Sequence, residues 1–367
     1  MLKKISLLLM PLFLAIFISS NVNAYDKVFF NDAIPANAIE AKAVFNEDYP
    51  ETLLFLINRA RESIYMSHYS FSCETKTAGE IADALIAAAG RGVKIDIFLN
   101  GGSSGVGPRN REAGKRLQRP GITVAINEGS KTAHSKLVIV DSLWTLSGST
   151  NLTETSMIKN NESNLLIHSS AIAGTLMDYV KALPSKASVD IDVESAAGQK
   201  IQAITDRNFI PNALELIRNA KKEICITTYL LDYDTKDKDS NASRLFRELI
   251  AAHKRGVKIR AFIEQSSISF NEHIHKANMR TAKTLMKAGI TGIRFDSPST
   301  ITHSKILIAD GYKAILGSTN LYGGDIDRAH QVNFIVTDMS VIAQLCSYFE
   351  KLYATGVTYR EIYRSTK

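Results

Sequence analysis

The sequence predicts an α/β protein built from two sandwich domains duplicated from one unit, and three observations carry that reading. Apolar patterns of strand and helix type alternate along the chain. The elements of the first half return in the same order in the second. The stretch His134-Ser135-Lys136-Leu137-Val138-Ile139-Val140-Asp141 recurs as His303-Ser304-Lys305-Ile306-Leu307-Ile308-Ala309-Asp310, and Gly148-Ser149-Thr150-Asn151 as Gly317-Ser318-Thr319-Asn320, both at one offset (303 − 134 = 169; 320 − 151 = 169).

Lys3 and Lys4 precede an apolar run from Ile5 to about Ser20, and Val22-Asn23-Ala24 stands before Tyr25, so residues 1–24 read as a secretory signal peptide. Cleavage after Ala24 is expected, with export to the periplasm or the medium. The run is shorter than the roughly 20 residues that span a bilayer. No later segment is apolar enough to span, so the mature chain is expected to lack a transmembrane segment. Leu53, Leu56, Ile57 and Ala60 then mark a helix, and Ala213, Leu216, Ile217 and Ala220 its counterpart 160 residues later (213 − 53 = 160). Strands at Ile64-Tyr65-Met66 and Ile224-Cys225-Ile226 follow. Ile81, Leu85 and Ala88 give a second helix, answered by Leu245, Leu249 and Ala252. Arg91-Gly92-Val93-Lys94-Ile95 repeats verbatim at residues 255–259, now 164 apart (255 − 91). A third helix and a strand, residues 121–126 against 289–295, bring the offset to that of the His-Lys stretches. Insertions between elements shift the register while the elements persist. Residues 182–200, with Pro184 and Ser185 and little helical pattern, read as the linker, giving domains at 25–189 and 190–367.

The chain is long enough for two domains of ordinary size. Removing the leader takes two lysines and no acids, so the net charge of +7 becomes +5 (42 − 37), a modest excess that favours anionic partners such as phospholipid headgroups or nucleic acid. Cys73, Cys225 and Cys346 are too few for a disulfide framework. Cys225 and Cys346 read as small buried hydrophobes. A Cys73 to Cys225 bridge stays open, because the two fall near matching positions of the repeat.

Side chains two apart on a strand share a face. His134 should therefore project with Lys136, and His303 with Lys305. Two imidazoles and two ammoniums make a cationic pocket that suits a phosphate diester. One ring can attack phosphorus while the other protonates the leaving oxygen, chemistry that needs neither metal nor cofactor.

On these residues the chain strongly resembles the phospholipase D superfamily, whose signature is His-x-Lys-x(4)-Asp followed by Gly-Ser-x-Asn. The resemblance covers nearly all of the chain after the leader. It implies halves related by a pseudo-twofold axis, with the His-Lys strands meeting at the interface, so that one chain makes one site and acts as a monomer. It assigns nucleophile and general acid to His134 and His303, phosphate binding to Lys136 and Lys305, and the rest of the phosphate cradle to Ser149, Asn151, Ser318 and Asn320. Asp141 and Asp310 close the motif and are expected to be partly buried and structural. Members of the superfamily commonly place an acid downstream that hydrogen-bonds the catalytic imidazole. Here the first copy has Glu162 (162 − 134 = 28) and the second has Gln331 (331 − 303 = 28). The expectation is that His134, backed by Glu162, forms a phosphohistidine and that His303 protonates the leaving alcohol.

The substrate is less determined. As a phospholipase D, the protein would hydrolyse or transfer a phosphatidyl headgroup at a membrane surface, with Phe71, Leu230, Leu231 and Tyr233 either rimming the site or lying in the core. As a nuclease, the alternative, it would need a basic groove with stacking aromatics. Arg109, Arg111, Lys115, Arg116 and Arg119 are the candidates, and residues 148–167 resemble short single-copy endonucleases of the superfamily and relatives that cleave cardiolipin. A solvated helix face explains those five cations as well. His68, in a strand-like run over residues 65–71, reads either as lining the pocket or as a satisfied core histidine. His273 and His275, in a loop over residues 270–276, lack the further ligands that a metal site needs.

Overall fold

A computed structural model of the chain describes residues 39–102, 105–233, 237, 239–265 and 268–365; the expected leader lies outside them. The first half runs β1 (Glu40–Phe45), α1 (Asp48–Arg59), β2 (Ser63–His68), α2 (Lys76–Gly90), β3 (Lys94–Asn100), α3 (Gly107–Leu117), β4 (Ile122–Asn127), β5 (Thr132–Ala133), β6 (Lys136–Val140), β7 (Trp144–Gly148), α4 (Glu154–Ile158), β8 (Ser163–His168) and α5 (Ser170–Ala182). The second runs β9 (Ile201–Thr205), α6 (Phe209–Asn219), β10 (Glu223–Thr228), α7 (Asn241–Lys254), β11 (Lys258–Ile263), α8 (Ile268–Lys287), β12 (Gly292–Phe295), β13 (Ile306–Ala309), β14 (Lys313–Gly317), α9 (Gly323–Arg328), β15 (Ala329–His330), β16 (Val332–Val336), α10 (Met339–Thr355), β17 (Val357–Thr358) and α11 (Tyr359–Ser365). The stripes expected on α1, α2, α6 and α7 are buried.

The verbatim pentapeptide has a backbone reason. Gly92 and Gly256 both sit at φ +95°, where a side chain would be strained, and turn the chain from helix into strand. Beside them, the Arg91 guanidinium donates to the Ile57 carbonyl at 2.8 Å and that of Arg255 to the Ile217 carbonyl at 3.0 Å. Each arginine so fastens the second helix of its half to the end of the first.

One sheet has strand order β1-β8-β7-β6-β2-β3-β4 and the other β17-β12-β11-β10-β13-β14-β16-β9, the same arrangement with one edge strand added. The two His-Lys stretches lead into β6 and β13, near the centre of each sheet. Leu137, Ile139 and Leu165 of the first half share one core with Ile306, Ile308 and Phe334 of the second, closed by Leu176 of α5 and Leu345 of α10. Burying each such side chain contributes about 2 kcal/mol, so the halves are held together by the same hydrophobic effect that forms each of them. Among the described residues, two short main-chain ties cross this interface. β5 pairs in parallel with β15, Ala133 opposite His330, and Asn161 bridges to Thr302.

Asp141 and Asp310 lie at the far ends of β6 and β13, away from the histidines. The carboxylate of Asp141 accepts the backbone N–H groups of Arg61, Glu62 and Ser63, and that of Asp310 those of Lys221, Lys222 and Glu223, at 2.7–3.2 Å. Both sit at φ +52°, which aspartate tolerates better than most residues. They anchor the start of the neighbouring strand and touch no reacting group. Asp141→Ala is expected to lower stability by about 2 kcal/mol in urea unfolding, through loss of charge-assisted acceptors, while KM stays unchanged.

The linker is not slack. Asp190 receives Lys131 at 2.5 Å, Asp192 pairs with Arg207, and the Ile191 N–H donates to Asp206 at 2.9 Å. The bridge left open between Cys73 and Cys225 is not formed, since all three cysteines are free. No helix among the described residues is long and apolar enough to cross a membrane.

Candidate active site

Each histidine directly follows one of the ties between the halves, and that fixes what stands behind its ring. His134 follows β5, and its N–H donates to the His330 carbonyl at 2.9 Å. The residue just after the partner strand, Gln331, sets its Oε1 3.2 Å from His134 Nδ1. His303 follows Thr302, and its N–H donates to the Asn161 carbonyl at 2.9 Å, which brings Glu162 Oε2 to 3.0 Å from His303 Nδ1. The expected pairing of His134 with Glu162 is therefore wrong. Each half supplies the partner for the other half's ring, because the ties cross the interface.

Glu162 is fully buried, and burial works to raise its pKa; the charge and hydrogen bond of His303, then Lys305 and Ser149, overcome this and hold it below the ordinary carboxylate value. It also accepts Ser149 Oγ–H at 2.5 Å, the Ser156 hydroxyl, and Asn160 Nδ2 at 3.2 Å. In the other half, Ser318 Oγ–H donates to Gln331 Oε1 at 2.6 Å. Ser149 and Ser318, expected in the phosphate cradle, instead steady the groups behind the imidazoles. Asn151 and Asn320 each keep a buried side-chain oxygen without a partner among the described residues.

A second carboxylate, missed in the sequence, stands behind the His134 ring at a longer distance than Glu162 keeps from His303. Asp325 Oδ2 lies 3.4 Å from His134 Nδ1 and accepts Asn320 Nδ2–H at 2.6 Å. Its counterpart in the first half is Ser156 (325 − 156 = 169). Ser156 with Glu162 thus stands behind His303, and Asp325 with Gln331 behind His134: one carboxylate each, from exchanged positions. Asp325 is fully enclosed, and burial raises its pKa against the pull of Asn320, Lys136 and Lys305.

Lys136 and Lys305 are 0 % and 4 % exposed, and their ammoniums donate to the carbonyls of His134 and His303. They lie 5.0 and 5.5 Å from the ring centres of Tyr69 and Tyr229, which pack against the two imidazoles in T-shaped pairs with ring centres 4.9 and 5.1 Å apart. These tyrosines were also missed, although they recur at the offset of the strands they follow (229 − 69 = 160). Burial pushes the Lys305 ammonium down to about 8, with Glu162, Asp325 and Glu264 opposing. Burial, then Lys136, Lys305 and His303, favours the neutral form of His134. Burial also brings His303 down to about 4, with Glu162 resisting and Lys305 and Lys136 adding to the fall. Four cation-forming side chains therefore converge on one site whose charge an anionic diester would balance.

Residues 53–183 and 213–353 match the sequence profile of a family described as cardiolipin synthase, PLD-like domain, once in each half. The chain belongs to the phospholipase D superfamily. It is 25 % identical over 315 residues to cardiolipin synthase A of Proteus mirabilis, covering 77 % of this chain and 61 % of that protein. To a phospholipase D of Rickettsia bellii it is 34 % identical over 121 residues, 33 % of this chain and 56 % of that one. The crystal structure of phosphatidylserine synthase from Haemophilus influenzae matches with a TM-score of 0.68 at 11 % identity, over 89 % of this chain and 88 % of that one, a likeness of fold. The chain spans about three fifths of the length of the cardiolipin synthases it matches.

Other sequence candidates fall outside this superfamily site or change meaning. Phe71, Leu230 and Leu231 are core residues, since Phe71 bridges to Leu152 and Leu231 to Leu321; Tyr233 stacks on Phe246. His68 is buried opposite Lys136 with neither ring nitrogen bonded among the described residues, so it is not a satisfied core histidine; burial, then Lys136, pushes it down to about 3. His273 and His275 lie on α8 rather than in a loop, and His275 Nδ1 bonds the Gln265 carbonyl at 2.8 Å. In the basic cluster, Arg111 pairs with Glu128, Lys115 with Glu112 and Arg116 with Asp83.

Proposed function

We propose that the protein rearranges a phospholipid headgroup ester outside the cytoplasm, through a phosphohistidine on His134. In the first step the His134 Nε2 lone pair attacks phosphorus, the bond to the leaving alcohol breaks, and the alcohol oxygen takes the proton of His303 Nε2. In the second, neutral His303 draws a proton from water or an acceptor alcohol, whose oxygen attacks phosphorus and returns the electron pair to His134. Water gives hydrolysis and an alcohol gives transfer, and both use the same groups.

The observation that carries these roles is the unequal backing of the two rings. A carboxylate at 3.0 Å makes His303 the ring that better holds a proton, as a general acid must. An amide carbonyl accepts the Nδ1–H of His134 and leaves its Nε2 lone pair free, with Asp325 at 3.4 Å placed to offset the charge once phosphorus is bonded. The roles are those expected from the sequence, now for the opposite reason. The names of the relatives support lipid over nucleic acid. So does the basic cluster, three of whose five members are already paired with carboxylates. Release of headgroup or phosphatidic acid from liposomes in EDTA, beside digestion of single- and double-stranded DNA, tests this. Cleavage of DNA alone would overturn it.

The depressed proton affinity of His303 yields a pH prediction. In the free protein the acid form is lost as pH rises through about 4. An anionic diester between the two ammoniums removes their repulsion and raises that value. The alkaline limb of kcat/KM is therefore expected to lie at lower pH than that of kcat. Phosphate binding should take up as much as one proton, read from the buffer dependence of the calorimetric heat; no buffer dependence would refute the linkage.

A further inference from the structure

Glu264 and Asp296 follow the ends of β11 and β12, 1 % and 2 % exposed, and both accept one N–H, that of Thr302, at 2.5 Å through Oε2 and 2.9 Å through Oδ2. Two carboxyl groups crowded onto one donor cannot both ionise without strong repulsion where water is excluded. The remaining oxygen of Asp296 accepts the Gln265 N–H at 2.7 Å. Burial, then the hydrogen bond and charge of Glu264, pushes the Asp296 carboxyl up to about 9.

The duplication supplies the control. The counterparts in the first half are Asn100 (264 − 164) and Asn127 (296 − 169). Asn100 Oδ1 accepts the N–H of Ala133, the counterpart of Thr302, at 2.8 Å. The fold thus makes this bond with an amide and does not require two carboxyls. What differs is the neighbour, because Thr302 precedes the carboxylate-backed ring. Thr302 is held on its other side by Asn161 Nδ2 at 3.1 Å, and the Asn161 carbonyl takes the N–H groups of His303 and Ser304.

We propose that Glu264 and Asp296 are positioning residues, an acid–carboxylate pair sharing one proton that seats Thr302, and through it His303, and frees the seat when that proton leaves. This rests on the reading of His303 as a reacting group. Among the described residues, the charged and titratable groups around the pair include Lys305 just before β13 and Tyr229 after β10, which feel Glu264, His275 on α8, bonded to the Gln265 carbonyl, and Glu47, Asp48 and Lys351, which line a cavity that Asp296 borders. The sign follows from linkage. Below a pH of about 4 the Asp296 carboxyl is protonated in the folded and unfolded chains alike; above it the unfolded chain releases that proton and the folded chain keeps it. The pair therefore costs stability increasingly up to a pH of about 9.

Glu264→Gln keeps an oxygen for the Thr302 N–H and donates an N–H to Asp296 as the shared proton does, but does not titrate. The infrared band of a protonated carboxyl is expected in the parent protein at pH 7 and not in the variant. The melting temperature of the variant should rise relative to the parent as pH is raised through the window from about 4 to about 9. A nitrophenyl phosphodiester, whose leaving group needs no proton, should lose more kcat near a pH of about 9 in the parent than in the variant, where titration of the Lys305 ammonium remains. Absence of the band, or a melting difference independent of pH, overturns the pair. The same alkaline fall in both proteins overturns the positioning role. The first two readouts need no substrate, so a protein that cleaves no diester would sink the catalytic reading and leave the pair standing. Asp296→Asn, which copies Asn127, gives the same readouts should Glu264→Gln fail to fold.

Discussion

Denatured during turnover of a labelled diester, the His303→Asn variant is expected to carry the phosphoryl group covalently and the His134→Asn variant to carry none. Both should lose steady-state turnover by about 10²–10⁴-fold, the usual worth of an acid–base group or more. Only their trapped species distinguish the roles. His134 presents a neutral ring whose Nδ1–H is taken up by Gln331 at 3.2 Å, so attack by Nε2 needs no prior loss of a proton. Once phosphorus is bonded the ring is cationic, and Asp325 is the charge beside it. With asparagine at 303, a nitrophenyl substrate still transfers its phosphoryl group, because nitrophenolate leaves unprotonated. The second step then stalls for want of a base to take the proton of water. A burst of nitrophenolate equal to the enzyme concentration should accompany the label. Label on the His134→Asn variant instead would make His303 the nucleophile and reverse the mechanism.

The exchange of partners across the interface also shows where sequence reading stops. The repeat made the elements, their order and the two His-Lys stretches legible, because apolar periodicity and residue identity are local. Which ring Glu162 faces is not local. It depends on β5 pairing with β15 and on Asn161 bridging to Thr302, ties of one or two residue pairs with no pattern long enough to announce them. Comparing Glu162 with Gln331 one for one suggested that the second half had lost its acid. The compensating change of Ser156 to Asp325 went unseen, since both residues are polar and neither belongs to the repeated motif. Phe71, Leu230 and Leu231 were open between rim and core for a related reason. A hydrophobic residue just past a strand end is equally suited to either, and the bridges from Phe71 to Leu152 and from Leu231 to Leu321 decide for the core. Tyr69 and Tyr229 were within reach, because an aromatic conserved between the two halves at the offset of the flanking strands had no helix stripe or turn to explain it.

Glu162→Gln should lower kcat on a phospholipid by about 10²–10³-fold, some 3–4 kcal/mol of barrier, yet lower kcat on a nitrophenyl diester by less than tenfold. The substitution removes charge and little else. An amide carbonyl already occupies the equivalent place in the other half, where Gln331 Oε1 accepts both the Ser318 hydroxyl and the His134 ring. The hydroxyls of Ser149 and Ser156 can turn to suit an amide, and the Asn160 amide, which now donates from Nδ2 at 3.2 Å, can turn over to accept through its unpartnered Oδ1, so the fold is not at stake. What disappears is the negative charge that resists the fall in proton affinity of His303, leaving burial, Lys305 and Lys136 unopposed at that ring. A ring that no longer holds a proton cannot pass one to an alkoxide, which is a poor leaving group, but nitrophenolate does not ask for one. The alkaline limb of kcat for the lipid should move to lower pH in the variant, because the proton departs earlier. An equal loss on both substrates would mean that Glu162 merely holds the ring in place, and the assignment of His303 as general acid would fall with it.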